Sequence, residues 1–85
     1  MVLYKFYADW CGQCKVLDAN LKAANIEYIS VNIEDDEELM TRYHIKTLPT
    51  LVLASSDGEV ICKYTGILSV EKLKDKFKDL IKWKL

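Results

Sequence analysis

Near the N-terminus of the sequence, an apolar segment typical of a strand is followed closely by the pattern of an amphipathic helix. Val2–Tyr7 is a nearly continuous apolar and aromatic segment, interrupted by Lys5, which is typical of a strand buried on both faces. From Cys11 to about Ala24, apolar residues recur every three or four positions and predict an amphipathic helix. Because a doubly buried strand needs helices on both sides of its sheet, the chain is predicted to be an α/β protein.

Local sequence signals extend this beginning into a full set of elements. Residues 26–33 are rich in β-branched and aromatic side chains and predict a second strand. Residues 35–43 predict a short helix, because their leading carboxylates stand where the helix dipole favours negative charge. Thr50–Ala54 and residues 59–64 predict two further strands, and Asp57-Gly58 indicates a hairpin that makes this pair antiparallel.

The C-terminal part of the chain completes this order. Ser69 is placed to cap a last helix whose apolar residues share one face: Leu73, Phe77, Leu80 and Ile81. Trp83 lies off that face. The order β-α-β-α-β-β-α requires parallel pairing within its strand-helix-strand units, so we expect a four-stranded mixed sheet flanked by three helices. Residues 1–85 are expected to form one domain, since no linker or repeat divides them.

Composition argues against several classes of function. Of the 85 residues, 51% are hydrophobic and 29% are charged, which is typical of a globular domain rather than a disordered tail. The formal net charge of -1 gives no indication of nucleic-acid binding, and no apolar segment approaches the roughly 20 residues that span a bilayer. The first residues show no secretory-signal pattern, so we expect a cytosolic protein. We also expect the protein to be a monomer.

Two of the three cysteines stand three residues apart, where the first strand leads into the first helix. An odd number of cysteines in a reducing compartment argues against a structural disulfide framework. Cys11 and Cys14 instead indicate thiol-disulfide exchange, which needs one thiolate to attack and a second thiol to release the mixed disulfide. The helix N-terminus is expected to lower the pKa of Cys11 from about 8.5 toward about 7, and Cys14 is expected to lie deeper.

Two metal-based alternatives stay open at this point. A cysteine pair can be half of a zinc site, but only Cys62 and His44 remain as soft or imidazole ligands, and neither forms a second paired motif. An iron-sulfur cluster shared between two chains through Cys11 is the other alternative. We favour redox chemistry with no bound metal or cofactor, with Cys62 as a buried small hydrophobe and His44 as the end of the second helix.

Several motifs together resemble the thioredoxin family. The segment Phe-Tyr-Ala-Asp-Trp-Cys-Gly-Gln-Cys-Lys at residues 6–15 is similar to the active-site region of that family, and Leu48-Pro49-Thr50 is similar to its cis-proline loop. Residues 57–60 and Gly66 also fall at the family's spacing, so the resemblance runs through essentially the whole chain. The opening strand and helix of a full-length thioredoxin are missing, which leaves the minimal thioredoxin fold, of glutaredoxin size.

The resemblance implies a protein dithiol-disulfide oxidoreductase with Cys11 as nucleophile and Cys14 as resolving thiol. It also implies a surface that binds protein disulfides, formed by Trp10, Gly12, Gln13, Leu48 and Pro49. Trp10 is favoured as an exposed ring that meets the substrate over an ordinary core aromatic. The redox-active disulfide would be recharged by a thioredoxin reductase, with glutathione as the alternative donor.

A thioredoxin-like reductant has two alternatives. Residues 64–68 lack the double glycine with which glutaredoxins hold glutathione, which favours protein substrates over glutathione exchange. A thioredoxin-like binding subunit, whose role does not depend on redox chemistry, is the alternative of another class, since a fold alone does not define a function.

The chain departs from the family pattern at three positions. Gln13 stands where thioredoxins usually have proline, Lys5 replaces their buried acid, and Ser30 stands where the lysine partner of that acid is expected, so no ion pair is predicted there. Lys5 either lies at a sheet edge or bends to solvent, or its ammonium lies behind Cys14 and stabilises a thiolate there. In the second case, Lys5→Met is expected to slow turnover and raise the pH at which Cys14 ionises.

Overall fold

The computed structural model describes residues 1–82, so Trp83 lies outside the described residues. The predicted order of elements is confirmed. The elements are β1 (Val2–Tyr7), α1 (Gly12–Ala23), β2 (Ile29–Asn32), α2 (Glu37–Arg42), β3 (Thr50–Ala54), β4 (Val60–Thr65) and α3 (Val70–Lys76), followed by a 3-10 turn (Lys78–Leu80). No helix within residues 1–82 has the length and hydropathy needed to cross a lipid bilayer.

The four strands form one mixed sheet in the order β2-β1-β3-β4. β1 pairs parallel with β2, as a helical crossover requires, and antiparallel with β3, while β3 and β4 form an antiparallel hairpin. Lys5 therefore lies on a central strand, between Ser30 of β2 and Leu51 of β3. The prediction that Lys5 could lie at a sheet edge is wrong, because β1 has a partner on each side.

Each face of the sheet is covered by its own hydrophobic cluster. Since side chains alternate along a strand, Leu3 of β1 packs on one face with α1 and α3, and Phe6 packs on the other face near α2. The first cluster contains Leu17 and Leu21 of α1 together with Leu73 of α3, all of them fully buried. The N-terminal end of α1 is thereby fixed against the sheet, directly after β1.

Two predicted elements are shorter in the structure. The second strand begins at Ile29 rather than residue 26, because Asn25 adopts a left-handed conformation (φ 58) and Ile26 forms an isolated bridge with Ile81 instead. The second helix begins only at Glu37, because the Asp36 carboxylate caps it by accepting a hydrogen bond from the Leu39 amide at 3.1 Å.

The hairpin between β3 and β4 contains a bulge that the alternating pattern does not reveal. Leu53 pairs with Cys62 while Ala54 pairs with Val60, so one residue of β4, Ile61, has no opposite partner. Val60 is exposed, although in a strand without a bulge residues 60 and 62 would lie on the same face. The turn itself is confirmed, with a 2.8 Å hydrogen bond from the Ser55 amide to the Glu59 carbonyl.

The final helix begins as predicted but ends earlier. The Ser69 hydroxyl accepts a hydrogen bond from the Lys72 amide at 3.3 Å and so caps α3. After Lys76 the chain tightens into the 3-10 turn, in which Leu80 stays half-buried against the first cluster. The apolar face is thus preserved across a change in helix type.

Candidate active site

The two cysteines of the motif lie at the N-terminus of α1 and form a disulfide, with their Cα atoms 5.3 Å apart. Cys11 is the N-cap residue, and its Sγ accepts a hydrogen bond from the backbone N–H of Cys14 at 3.2 Å. A helix N-terminus presents unpaired N–H groups and the positive end of the helix dipole. The Cys11 sulfur therefore lies where negative charge on it is stabilised.

The two sulfur-bearing residues differ in depth as predicted. Cys11 is 7% exposed and Cys14 is 2% exposed. Gly12 and Gln13 between them are exposed, and a Cβ atom added at Gly12 would meet no atom within 4 Å. Access to Cys11 across this short connection is open, whereas Cys14 is covered by the body of the domain.

A groove of about 350 Å³ lies beside Cys11. Most of its lining is apolar, contributed by Trp10, Ile33, Met40, Ile45 and Leu48, and Lys46 is the charged residue in it. The Trp10 side chain is 71% exposed, so the ring is part of the surface and not of the core. An apolar groove next to an accessible sulfur can receive a segment of another polypeptide.

The loop before β3 forms one wall of this groove. The Leu48-Pro49 peptide bond is cis, and Leu48 packs against the cluster that contains both cysteines. Hydrogen bonds fix the loop on either side of Leu48, because the Thr50 hydroxyl donates to the Thr47 carbonyl at 2.7 Å and the Gly66 amide donates to the Pro49 carbonyl at 2.9 Å. The cis bond and the proximity of this loop to Cys11 are confirmed.

Lys5 is buried, with 5% of the residue exposed, and its Nζ lies 2.8 Å from Oδ1 of Asp18. Lys5 therefore does not bend to solvent, and it does form an ion pair. The two opposite predictions are wrong. The partner was missed because it comes from α1 and not from the neighbouring strand. Asp18 stands four residues after Cys14, on the helix face that meets the sheet, and that spacing was the available signal.

Asp18 is the centre of a small polar network beneath α1. It accepts hydrogen bonds from Lys5 and from the Tyr28 hydroxyl, and Lys22 lies 3.0 Å from its second oxygen. Partial burial alone would raise the pKa of the Asp18 carboxyl, but the hydrogen bonds from Lys5, Tyr28 and Lys22 hold it well below its usual range. Burial, together with the bond to Asp18, raises the pKa of the Tyr28 hydroxyl.

The remaining candidate residues lie away from the disulfide. Cys62 was predicted to be buried, but it is only half-buried on β4, where it packs against the edge of the cluster under α1 and α3. His44 follows α2 in a left-handed conformation (φ 54), and its carbonyl accepts a hydrogen bond from Lys63, which agrees with the predicted helix end. Nowhere in residues 1–82 do three His, Cys, Asp or Glu side chains meet as metal ligands.

Comparison with known proteins gives one consistent family. The family model that matches is Thioredoxin, over residues 1–79. The chain is 34% identical over 86 residues to the mitochondrial thioredoxin of Bos taurus, covering 94% of this chain and 51% of the relative. It is 33% identical over 78 residues to the thioredoxin of Chlamydia caviae, covering 86% and 76% respectively. The chain thus spans about half the length of the mitochondrial relatives it matches.

Solved structures agree with the sequence comparison. A mutant thioredoxin from Halobacterium salinarum superimposes with a TM-score of 0.75 at 28% identity, over 99% of this chain and 77% of that one. The oxidised form of mitochondrial thioredoxin 3 from Saccharomyces cerevisiae gives a TM-score of 0.73 at 26% identity, over 93% and 77% respectively. The sheet order, the cis-proline loop and the cysteine pair all belong to the region that these matches cover.

Proposed function

This chain belongs to the thioredoxin family, and from that premise we propose that it is a protein dithiol-disulfide oxidoreductase. The observation that carries the proposal is the position of Cys11, which caps α1, faces an apolar groove and lies within disulfide reach of Cys14. The domain needs no bound cofactor for this chemistry, because the two thiols carry the two electrons themselves.

The first step uses Cys11 as nucleophile. In the reduced protein its thiolate is stabilised by the backbone N–H groups at the start of α1. The thiolate attacks one sulfur of a substrate disulfide, a bond forms between Cys11 and that sulfur, and the other substrate sulfur leaves as a thiolate that takes a proton from water. The product of this step is a mixed disulfide between Cys11 and the substrate.

The second step uses Cys14 as resolving thiol. Its thiolate attacks the Cys11 sulfur, the Cys11-Cys14 bond forms, and the electron pair of the broken mixed disulfide leaves with the second substrate sulfur. The substrate departs with both thiols reduced, and the domain departs oxidised. Cys11 lines the apolar groove and is the more exposed of the two cysteines, whereas Cys14 does not line it, so the first attack is assigned to Cys11 and the second to Cys14.

The groove beside Cys11 supports a polypeptide substrate over a small disulfide. Trp10 and Leu48 offer apolar surface on two sides of the sulfur, and Leu48 lies in a loop whose neighbouring carbonyls are already engaged. We infer that an extended substrate segment lies along this loop and bonds to the Leu48 backbone, in the manner of strand addition. Gly12 and Gln13 leave the approach to the sulfur open.

Electrons are proposed to come from a thioredoxin reductase, with glutathione as the alternative donor. The two sources imply different reduction potentials for the Cys11-Cys14 pair. A potential of about -270 mV suits a thioredoxin-like reductant, and one of about -200 to -230 mV suits exchange with glutathione. The cytosolic location and the monomeric state expected from the sequence stay predictions.

The proposal is tested by reduction of a protein disulfide coupled to NADPH oxidation, once with a thioredoxin reductase and once with glutathione and its reductase. We expect turnover with the first donor, loss of activity in Cys11→Ser, and a trapped mixed disulfide in Cys14→Ser. The matched control is Cys62→Ser, which removes a thiol outside the motif and should keep full activity. Turnover that survives in Cys11→Ser contradicts the proposal. If a Cys11→Ser/Cys14→Ser double variant still performs the biological role of the protein, the protein is a binding subunit instead.

A further inference from the structure

The buried lysine beneath α1 is a feature that the dithiol chemistry described so far does not use. Lys5 lies on the central strand of the sheet, 5% exposed, and its Nζ contacts Asp18 at 2.8 Å. It also lies 4.8 Å from the centre of the Tyr7 ring and 5.5 Å from that of Tyr28. An ammonium in such a place is costly to desolvate and persists because the carboxylate and the two rings compensate it.

Lys5 and Cys14 line the same cleft. This cleft has a volume of about 650 Å³ and runs along α1 from Cys14 to Lys22. Asp18 stands one helical turn beyond Cys14 on that helix, so the side chain that holds Lys5 is adjacent to the resolving thiol. The cleft opens to solvent at its rim, where exposed Lys22 takes part in the lining. Cys14 and the fixed cation therefore line one cleft that opens to solvent.

The charges around the cleft are predominantly positive. The two acidic residues of the lining are Asp9, in the loop after β1, and Asp18 of α1. The lining lysines are Lys5, Lys15, Lys22 and Lys82. Four lysines thus face two aspartates, and the lining also includes Tyr7 and Tyr28. On its other side Cys14 meets apolar neighbours and Cys11.

Neither Asp18 nor Tyr28, the two residues of the network around Lys5 that could exchange a proton, is suited to accept one from Cys14. Asp18 is held in its ionised form by three donors, and its low pKa makes it a very weak base. Tyr28 keeps its proton because burial and the adjacent carboxylate raise its pKa. Water that enters through the open rim of the cleft is an acceptor outside this network.

We propose that Lys5 is a positioning residue whose ammonium, held in place by Asp18, stabilises the thiolate of Cys14 while the mixed disulfide is resolved. The Cys14 proton passes to water in the cleft and not to a protein base. The thiolate then attacks the Cys11 sulfur, and the electron pair leaves with the substrate sulfur, so electrons and protons balance without a further reactant. This inference rests on the proposed dithiol function and assigns the charge that assists its second step.

The experiment follows the two attacks separately in a Cys62→Ser background. The reduced protein is mixed with 5,5'-dithiobis(2-nitrobenzoate), which releases one coloured thiolate when Cys11 attacks and a second when Cys14 resolves the mixed disulfide. The rate of the second release is measured by stopped flow as a function of pH. We expect a single ionisation for this step, since Asp18 and Tyr28 titrate outside the working range.

Of the two informative variants at Lys5, one removes the charge at similar side-chain length and the other keeps it. In Lys5→Met, the midpoint of the second release should move up by about one pH unit, which makes the step about tenfold slower at neutral pH. Lys5→Arg should restore the midpoint, because it restores the cation. Lys78→Met is the matched control, since it removes one positive charge from a surface pair with Asp75 remote from the cleft, and its midpoint should stay at the wild-type value.

The outcomes separate this inference from the proposed function. An unchanged midpoint in Lys5→Met, with both releases still present, overturns the role of Lys5 and leaves the dithiol chemistry intact. Absence of the second release in the wild-type background would overturn the dithiol function itself. If Lys5→Met fails to fold, the Lys5→Met/Asp18→Asn double variant is compared with Asp18→Asn alone, and its midpoint should lie higher than that of Asp18→Asn because only the double variant lacks the cation. The wild-type midpoint supplies a further check, because a value above the ordinary thiol value of about 8.5 contradicts a stabilised Cys14 thiolate.

Discussion

The two sulfurs of the disulfide belong to regions of opposite character. On the Cys11 side, apolar side chains from three parts of the chain form an open groove with Trp10 exposed at its edge. On the Cys14 side, a polar cleft contains a buried lysine, its carboxylate partner and further lysines. One covalent bond therefore joins a surface suited to contact another polypeptide with an interior suited to fix charge. The comparison indicates that substrate recognition and thiolate chemistry can be altered independently in this domain.

The strongest test of this division is the removal of the Asp18 charge. Asp18→Asn leaves the Lys5 ammonium buried without a counter-charge, and breaking a buried pair costs roughly 3 to 5 kcal/mol. Because the Asp18 side chain is 27% exposed, we expect a smaller loss of about 2 kcal/mol in the free energy of unfolding, measured with urea. Asp75→Asn is the control, since its 3.7 Å pair with Lys78 is exposed and should contribute less than about 0.5 kcal/mol. Equal losses in the two variants would contradict the special role of the buried pair.

The same pair predicts a pH dependence of stability. The Asp18 pKa is lower in the folded protein than in the unfolded chain, where it is about 4, so the unfolded state binds the proton more readily. The contribution of Asp18 is therefore fully present above about pH 4 and is lost as the pH falls through the lower folded-state value. The difference in unfolding free energy between wild type and Asp18→Asn should narrow in acid, measured by urea unfolding between about pH 2 and 7. If the difference in unfolding free energy widens in acid, the Asp18 pKa is not lowered by folding and the prediction is wrong.

A test on the groove side is expected to change binding and not stability. Trp10→Ala removes a side chain that is 71% exposed, so the free energy of unfolding should change by less than about 0.5 kcal/mol. If the ring is an anchor for polypeptide substrates, kcat/KM for a protein disulfide should fall about tenfold, while the rate with a small aromatic disulfide is kept. Val16→Ala, on the exposed face of α1, is the control and should alter neither. Equal slowing with both substrates would assign Trp10 to the sulfur chemistry instead.

The smallest expected effect concerns the chain between α2 and the groove. The backbone of His44 has φ 54, a left-handed conformation that glycine adopts without steric cost. His44→Gly should therefore stabilise the domain by about 0.5 to 1 kcal/mol without changing either thiol reaction. Asn25→Gly is the control, and it should lower the stability of the domain. Asparagine tolerates this conformation, and its side-chain amide donates a hydrogen bond to the Lys82 carbonyl that glycine would lose. Thermal unfolding of both variants checks the pair of predictions.

The sequence was informative wherever one local signal determined the structure. β1 and β3 have the predicted bounds, because an apolar segment defines the first and Pro49 and the Asp57-Gly58 turn enclose the second. The placement of Cys11 at the start of α1 and the cap at Ser69 follow for the same reason. The bulge in β4 could not be predicted, since two exposed apolar residues in succession fit either an unbroken strand or an inserted residue.

The candidate site shows the same limit more sharply. Trp10, Cys11 and the cis-proline loop were brought together as expected, because the motif and the resemblance specify them together. The pairing of Lys5 with Asp18 depends on how α1 docks across β1, and the sequence separation of 13 residues contains no periodic signal for it. A charged residue in an apolar strand still implies a counter-charge somewhere, and a search of the inward face of α1 would have identified Asp18.

The bulge in β4 has a consequence for the behaviour of the protein in concentrated solution. Open sheet edges are templates on which other chains can add strands, and this sheet ends in β2 on one side and β4 on the other. β2 offers a strand of four residues, and Ile61 interrupts the regular ladder of β4. Lys63 adds a charge to β4, and its ammonium is bonded to the carbonyls of Tyr43 and His44. Edge-to-edge polymerisation, and with it fibril growth, is disfavoured at both borders of the sheet.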